Sequence, residues 1–511
     1  MDLVSSFLSK KNINNEEDIK FENYIKGEAK LNSEKQYIIE SSCCFDGNKD
    51  NFKRHYDENK ILEIHLNNMV FEQYLSFHNV KKLSLIIDDN VKFQRLHIFG
   101  CNELSLRING RVKIIDKISI NNCKFKQISI NNHIDGNIEF QKCEFNDFNL
   151  YGFSNATIKG TFTFDFCEIK EKVNFMNFEF ENKVSFKMSK FKDNVYFNNS
   201  HFKDYADFHE CEFEKTASFY GVRFEKTPNF SQAIFKGNLN VVNTNLNFTF
   251  DDLQERIKQE YASYETQRTA KEAGVIPNLY QKKSLDKFAN DFRDSFRTFK
   301  NALIKDNNLL DASNFHKYEL YCKEIELKNK KYKTLKDKMD KWQLIFYRKL
   351  CDHHTDILQS LNSLILVIGI FVISSVAMVF GFNYSLGYKP ILEHWYFSLD
   401  FYNHHINSII QDNYLFMMAI NIMILFIYLG LVGFALCLKY MREFFIIISY
   451  VITLLVLAIS PKILIPAMGI FTDKRAMLDP LSVFGGIYTI IFGFVAFSFI
   501  KTIRKNSIVP S

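Results

Sequence analysis

Glycine and proline are scarce in this sequence, with 19 and 7 residues among 511. Flexible linkers and disordered chains are rich in such residues, so the composition indicates regular, apolar structure. The first twenty residues, MDLVSSFLSKKNINNEEDIK, lack the run of about 7 to 15 apolar residues that a signal peptide needs. We therefore expect the N-terminal half to stay in the cytoplasm.

Motifs of the common catalytic and cofactor sites are also missing. The sequence has no GxxxxGK(S/T), no GxGxxG after a strand, no HExxH and no CxxC. The pair His404-His405, with Glu393, His394 and Asp400 nearby in sequence, offers the residue types of a metal site. Because neighbouring residues of one chain rarely converge on one ion, we expect no metal, no cofactor and no enzymatic activity.

Charge, cysteine content and length narrow the class of protein further. The net charge of +6 is mild for this length and gives no reason to expect a nucleic acid partner. Ten cysteines, mostly single, do not form the framework of a short secreted protein, so we expect them to be reduced. The chain exceeds the roughly 250 to 300 residues that one core supports, which predicts several domains.

Phenylalanine is abundant, with 53 copies, and it is regularly spaced. Between Val173 and Phe235 the spacing alternates between five and six residues, and a smaller residue stands two positions before each ring, Phe178 being the large exception. The repeated rings are Phe175, Phe180, Phe186, Phe191, Phe197, Phe202, Phe208, Phe213, Phe219, Phe224, Phe230 and Phe235. A small-x-Phe unit cannot bury its own ring, so neighbouring units must stack on it.

A second, longer period runs through the small positions. Its members are Cys123, Cys143, Cys167, Ser189, Cys211 and Ala233, whose positions differ by 20, 24, 22, 22 and 22 in turn. This spacing predicts a coil of four short sides, with cysteines and phenylalanines in columns along the inner wall. We interpret the cysteines as small buried hydrophobes. From Leu83 onward, looser pairs of alternating apolar residues predict the same coils in a less regular form.

The stretch VSFKMSKFKDNVYFNNSHFKDYADFHECEFEKTASFYGVRFEKTPNFSQAIF resembles the pentapeptide-repeat proteins, in a variant centred on phenylalanine. The resemblance covers about residues 80–250 and implies a right-handed, quadrilateral, parallel β-helix with the phenylalanines and the small residues pointing inward. The alternating spacing departs from the family's strict five-residue repeat. Residues 1–79 are expected to form the first coils or an N-terminal cap.

After Asn247 the rhythm stops, and residues 251–358 predict a cytoplasmic α-helical connector. A first helix is expected up to Gly274, a second from Ser284 and a third from about Asp311 to Asp340. The second has one apolar stripe, formed by Phe288, Phe292, Phe296, Phe299 and Leu303. Antiparallel pairing of the second and third helices would bury their apolar faces.

The end of the connector is strongly basic. Its positive residues are Lys328, Lys330, Lys331, Lys333, Lys336, Lys338, Lys341, Arg348 and Lys349. They share the segment with Trp342, Phe346 and Tyr347 and directly precede a hydrophobic stretch. We therefore expect contact with anionic lipid headgroups, in preference to a solvated helix face.

Four hydrophobic stretches in residues 359–511 are each long enough to cross about 30 Å of hydrocarbon. They are Leu361–Phe382, Leu415–Leu438, Phe444–Ile465 and Leu481–Ile500. Lys and Arg are more frequent beside the ends of these stretches that the predicted topology places in the cytoplasm. The loop 461–480, on the other side, carries three of them. The pattern predicts a multi-pass protein of the bacterial inner membrane with both termini in the cytoplasm.

Three functions fit these features. We favour a non-enzymatic, membrane-anchored scaffold that binds an unidentified cytoplasmic protein, because solenoids work through extended surfaces. The alternative is a channel or mechanosensitive-type protein, in which the spans of a homo-oligomer surround a pore. Asn421, a polar residue at membrane depth, is compatible with a pore. The sequence contains no TVGYG-like selectivity filter, however.

The third function follows from the resemblance alone. Some soluble pentapeptide-repeat proteins resemble a DNA duplex in shape and negative charge and bind type II topoisomerases in its place. Residues 151–250 contain twelve Lys or Arg and twelve Asp or Glu. A neutral solenoid imitates a polyanion poorly, so we place this function last.

Overall fold

The computed structural model divides the chain into two compact units, Met1–Lys331 and Tyr332–Ser511. It describes residues 30–31, 37–40, 42–55, 59–109, 112–130, 134–146, 148–149, 157–246, 248–272, 283–385, 387, 404–405, 407–437, 439–459 and 480–506. The first twenty residues, residues 461–479 of the predicted loop, and Glu393, His394 and Asp400 lie outside these ranges.

The first unit begins as a parallel β-solenoid in which two long strands make most of a coil. These N-terminal elements are β1 (Lys30–Leu31), β2 (Tyr37–Ile39), β3 (Cys43–Asp46), α1 (Asp50–His55), β4 (Leu62–Leu66), β5 (Met69–His78), β6 (Lys82–Ile87), β7 (Val91–Phe99), β8 (Glu103–Ile108), β9 (Val112–Asn121), β10 (Lys124–Ile130), β11 (Ile134–Gln141), β12 (Glu144–Phe145) and β13 (Phe148–Asn149). Parallel pairing already includes β2 and β3, which lie against the two halves of β5. Each of β5, β7 and β9 contains a register shift in its pairing, where the long strand turns from one side of the coil to the next.

From Thr157 onward the coils become regular and have four sides. The strands are β14 (Thr157–Ile158), β15 (Phe162–Asp165), β16 (Glu168–Ile169), β17 (Val173–Asn174), β18 (Glu179–Phe180), β19 (Val184–Ser185), β20 (Lys190–Phe191), β21 (Val195–Tyr196), β22 (His201–Phe202), β23 (Ala206–Asp207), β24 (Glu212–Phe213), β25 (Ala217–Ser218), β26 (Arg223–Phe224), β27 (Ile234–Phe235), β28 (Leu239–Asn240) and β29 (Asn245–Leu246). Strands one coil apart pair in parallel, as Glu179 with His201 and Lys190 with Glu212 show. The predicted parallel β-helix is thus confirmed.

Two edges of the solenoid turn through residues with positive φ. One edge contains Gly100, Asn122, Lys142, Phe166, Met188, Glu210 and Gln232, and the other contains Asn177, Asn199, Gly221 and Asn243. Asparagine and glycine adopt this left-handed conformation most readily, and they fill the second edge completely. The bulky residues of the first edge are held there by the hydrogen bonds between coils, such as the bond from the Met188 amide to the His209 carbonyl (2.8 Å).

Three helices follow the last coil and pack against it. They are α2 (Phe250–Glu272), α3 (Leu285–Lys305) and α4 (Leu309–Asn329). Thr249 and Asp252 form a reciprocal cap at the start of α2. The Phe299 ring of α3 lies 4.7 Å from Phe230, so the predicted apolar stripe covers the open end of the solenoid. The Tyr318 hydroxyl of α4 donates a hydrogen bond to the Leu246 carbonyl.

Helices α3 and α4 pair antiparallel, as predicted, and their ion pairs show the alignment. Arg293 contacts Glu326 near one end, and Arg297 contacts Glu319 nearer the other. Burial alone would raise the pKa of the Glu319 carboxyl, but its bonds to His316, Lys300 and Arg297 lower the pKa to about 2. The carboxylate therefore stays ionised within this pair of helices.

The prediction of one helix from Asp311 to Asp340 was wrong. The structure ends α4 at Asn329 and begins a new helix, α5 (Leu335–Cys351), after Thr334. Thr334 and Asp337 form a capping box, in which each side chain accepts a hydrogen bond from the other residue's backbone amide. This cap satisfies amides that a continuous helix would have used internally, and so stabilises a separate start.

The second unit contains α5 and the apolar helices. These are α6 (Ile357–Ser385), α7 (Asn407–Asp412), α8 (Tyr414–Cys437), α9 (Lys439–Ile459) and α10 (Pro480–Asn506). Within α6, α8 and α10, the segments Ile357–Met378, Tyr414–Leu436 and Val483–Lys505 are long and apolar enough to cross a membrane. Helix α9 covers most of the third predicted span, whose last residues lie outside the described ranges.

Helix α6 packs closely against α9 and α10. At Gly369 an added Cβ would lie 2.2 Å from the Ser449 Oγ, so only glycine permits this approach of α6 to α9. The Tyr450 hydroxyl donates to the Asn362 side chain across the same pair (2.9 Å), and Phe371 of α6 stacks on Tyr488 of α10 (3.8 Å). The structure buries Asn421 in α8.

Candidate functional site

The repeated phenylalanines form stacked columns inside the solenoid. Rings one coil apart lie nearly parallel with centroids about 5 Å apart: 5.1 Å for Phe175 and Phe197, 4.8 Å for Phe180 and Phe202, and 5.1 Å for Phe191 and Phe213. Neighbouring columns meet edge to face. Of the twelve rings, Phe235 at the capped end is only partly buried. These residues build the core and are not available to a ligand.

The column of small residues connects the coils by hydrogen bonds. The Ser189 Oγ accepts a bond from the Cys167 amide (2.9 Å) and donates one to the Phe164 carbonyl (2.6 Å). The Cys211 thiol donates to the Phe186 carbonyl in the same way (2.8 Å). Burial raises the pKa of the Cys211 thiol, which keeps it protonated as a donor. These side chains therefore satisfy backbone groups at the corner as well as filling it.

The same column begins one coil earlier than predicted. Cys101 is buried, and its amide donates to the Cys123 Sγ (3.4 Å). The two cysteines stand one full coil apart, and this spacing is visible in the sequence. Cys143 and Cys167 occupy the next two coils, both buried.

One side of the solenoid is polar, and we call it the polar side. Its outward residues are, coil by coil, Tyr74, Ser76 and His78; Arg95, His97 and Phe99; Lys117, Ser119 and Asn121; Asn137, Glu139 and Gln141; Thr163 and Asp165; Ser185 and Lys187; Asp207 and His209; and Asn229 and Ser231. They alternate with inward apolar residues, as strand geometry requires. Parallel pairing thus brings together polar residues from eight coils that are far apart in the sequence.

The N-terminal half of the polar side contains a depression of about 440 Å³. It is lined by Tyr74, Ser76, His78, Arg95, His97, Lys117, Ser119, Asn121 and Glu139. The rings of His78 and His97 lie 5.0 Å apart, edge to face. The depression faces outward from β5, β7, β9 and β11 and is therefore open to a ligand.

Several polar groups of this depression have no hydrogen-bond partner in the described part of the chain. The Ser76 side chain is 3% exposed and its Oγ is unpaired, as is the Oδ1 of Asn121. Burial, the neighbouring His78 and the cations Lys117 and Arg95 together lower the pKa of the His97 imidazole. A neutral imidazole can both donate and accept a hydrogen bond.

The cations of the depression are held in place by carboxylates. The Arg95 Nε donates to Asp116 (2.8 Å), and the Lys117 ammonium contacts Glu139 (2.8 Å). Each cation keeps further N–H groups beyond these pairs, since a guanidinium has five and an ammonium three. These further N–H groups can donate to carboxylate or carbonyl groups of a partner.

Part of the C-terminal half of the polar side is covered by α2. The Arg256 guanidinium of α2 lies over the Tyr205 ring (3.8 Å from its centroid). Burial and the charge of Glu260 on α2 raise the pKa of the Asp207 carboxyl to about 7. Helix α2 thus shields Asp207, whereas Thr163 and Ser185 of earlier coils remain partly exposed.

The arrangement lacks the geometry of a catalytic or metal site. The Ser76 Oγ has no hydrogen bond to a base that would activate it as a nucleophile. In the described ranges no cluster of three or more His, Cys, Asp or Glu side chains is placed to hold a metal ion.

The predicted basic residues fall in two places. Lys328, Lys330 and Lys331 lie at or just after the end of α4 in the first unit, and Lys333 precedes α5. Lys336, Lys338, Lys341, Arg348 and Lys349 lie on α5 in the second unit. None of them is among the residues of the polar side.

Comparison with known proteins bears on the solenoid. A family model described as pentapeptide repeats (9 copies) matches residues 164–212 and 197–245. The curated proteins and the solved structures compared with the chain gave no match. The matched residues lie in the regular coils, where four strands make each turn and phenylalanines stack inside. The β-solenoid of this chain is therefore a member of the pentapeptide-repeat family.

Proposed function

We propose that this protein is a membrane-anchored, non-enzymatic interaction module whose polar side binds a protein partner. The observation that supports this most directly is the open depression, which polar residues of neighbouring coils such as Arg95, His97 and Lys117 line.

Other sides of the solenoid are less suited to this role. Their charged side chains pair across coils, as Lys192 does with Glu214 (2.7 Å) and Lys203 with Glu179 (2.6 Å). Such exposed pairs contribute little stability. The polar side, by contrast, contains the open depression. The neutral balance of residues 151–250 also argues against a DNA-like surface.

The proposed partner is a cytoplasmic protein that presents a loop with carboxylate and carbonyl groups. The further N–H groups of Arg95 and Lys117, beyond their pairs with Asp116 and Glu139, can donate to such groups. The proposed location is the bacterial inner membrane, with the solenoid and both chain termini in the cytoplasm. The distribution of Lys and Arg beside the apolar segments supports this orientation.

Site-directed photocrosslinking in native membranes tests the proposal. A photoreactive phenylalanine analogue is placed at His97 on the polar side or, as a control, at Lys192 on the ion-paired side of the full chain. We expect a discrete adduct from position 97 only, weakened by Tyr74→Ala at the exposed edge of the depression. Equal adducts at both positions, or none, would refute the assignment of the polar side, and an adduct of twice the chain's mass would identify a second copy instead.

A further inference from the structure

Helix α5 has an apolar stripe that the second unit does not cover. Leu335, Met339, Trp342 and Phe346 are 76%, 65%, 68% and 38% exposed. Their spacing of four, three and four residues places them on one face of an α-helix. A large exposed apolar stripe on a short helix marks a surface that another phase or molecule covers.

Cations border this stripe. At 100° per residue, Lys338 and Lys349 project on one flank of the stripe and Lys336 on the other. Long Lys side chains can reach headgroups while their methylene stems lie along an apolar surface. A basic helix with an apolar face is the composition of helices that lie in a membrane interface.

The stripe is continuous with the surface of an apolar helix. The Phe346 ring lies 5.8 Å from Phe494 of α10, and the Tyr347 ring lies 6.2 Å from the same ring. Phe494 lies within the segment Val483–Lys505 that can cross a membrane, and it is itself 44% exposed. A bilayer around α10 would therefore reach the C-terminal end of the stripe without a gap.

The junction with α6 fixes the direction of α5. The Gln359 side chain donates to the Arg348 and Lys349 carbonyls (2.7 and 2.8 Å), and the Ser363 Oγ donates to the Leu350 carbonyl (2.8 Å). The linking residues Asp352, His353 and His354 all have positive φ. Three such residues in succession are costly for side chains with a Cβ, so packing must hold this turn.

From these observations we propose that α5 packs against the membrane lipid through its apolar stripe. Its apolar stripe inserts at the boundary of the acyl chains, and its lysines contact anionic headgroups. Charge complementarity and the continuity with Phe494 favour lipid as the occupant over a protein. This role does not depend on what the polar side of the solenoid binds.

Tryptophan fluorescence of the full chain in lipid nanodiscs tests this placement. The chain has two tryptophans, so Trp395→Phe leaves Trp342 as the only reporter. We expect quenching of about half of its emission by lipids brominated in the upper acyl chain, where interfacial helices lie about 5 to 10 Å deep, and protection from aqueous acrylamide. Adding anionic lipid to neutral nanodiscs should increase the bromolipid quenching at low salt.

Two charge-matched variants distinguish insertion of the apolar stripe into lipid from the effect of an added negative charge on α5. Met339→Glu introduces a carboxylate in the stripe, and Gln343→Glu introduces one at an exposed position outside it. The first should remove most of the bromolipid quenching and the second should leave most of it. Free access of acrylamide to Trp342 without bromolipid quenching would overturn the proposal, and so would protection from both quenchers, which would show a covering protein or second copy.

Discussion

The Oγ of Ser189 donates a 2.6 Å hydrogen bond to the backbone carbonyl of Phe164 in the preceding coil. The same oxygen accepts a bond from the Cys167 amide. A buried hydroxyl thus satisfies two backbone groups that the strand ladder leaves without a partner at the corner. The thiol of Cys211 repeats the donation one coil later.

Ser189→Ala should destabilise the coils around it by about 1 to 3 kcal/mol, because a buried amide and a buried carbonyl lose their partner. Native-state hydrogen exchange of the full chain in detergent measures this as faster exchange near residues 164–191. Ser189→Cys is the matched control, since the column uses thiols elsewhere. Equal loss in both variants would show that size, not hydrogen bonding, selects the residue.

Phe202→Ala should open the stack locally. Its ring lies 4.8 Å from Phe180 and 5.0 Å from Phe224, so truncation leaves a cavity between two coils and should cost about 3 to 5 kcal/mol. Hydrogen exchange and limited proteolysis of the solenoid measure the change. Lys190→Ala, which removes only an exposed ion pair, should cost less than about 1 kcal/mol. If the two variants behaved alike, the inward column would not be the source of stability.

The raised pKa of Asp207 predicts a pH dependence. The folded protein holds a proton on this carboxyl up to about pH 7, whereas an unfolded chain releases it near pH 4, so its contribution to stability falls as the pH rises through this window. Lys187 and Asp165 of neighbouring coils and Glu260 of α2 are the charges around it. Asp207→Asn should therefore raise the thermal midpoint at pH 8 and change it little near pH 4.

Asp193→Asn is the control, because the contribution of Asp193 to stability changes with pH in the opposite direction. The hydrogen bond from Lys215 (2.8 Å) lowers the pKa of the Asp193 carboxyl, so its stabilising effect is present at neutral pH and is lost on acidification. This variant should lower the midpoint at pH 8, or leave it unchanged, and should never raise it. A stabilising effect of both substitutions at pH 8 would point to net charge instead of burial beneath α2.

Phe299→Ala should uncover the C-terminal end of the solenoid. The ring lies 4.7 Å from Phe230 and 5.4 Å from Phe315, and it joins the last coil to the pair α3 and α4. We expect faster hydrogen exchange in residues 213–246 and more aggregation, because an open coil end exposes strand edges. Lys287→Ala, on the exposed face of α3, is the control. Unchanged exchange in the last coil would contradict the role of α3 as its cap.

The coils could be predicted because inward residues recur at a fixed period. A strand alternates its side chains, so each pair of apolar residues marks one side of the coil, and the longer repeat of the small residues gives the length of a full turn. The capping box at Thr334 and Asp337 was also readable, but the predicted helix ran past it to Asp340. Cys101 lay one period before Cys123 and could have been included.

The polar side could not be predicted in this way. Ser76 and His97 are neighbours because they stand in register on β5 and β7. The coil between them is shorter than the regular coils, and coil length varies in this irregular region, so a fixed period does not predict the pairing. No spacing motif marks the groups that meet. The apolar stripe containing Phe299 was visible, but a stripe indicates only that a face is buried, not that it covers the end of a solenoid.

By itself, the sequence determined the repeating coil, the connector helices and the apolar segments, because each depends on local periodicity or on a continuous run of apolar residues. The tertiary structure alone decided which outward residues share the depression, which part of the polar side α2 covers, and which face of α5 remains exposed. These outcomes depend on register between distant strands and on packing between helices, and neither is encoded at a fixed distance along the chain.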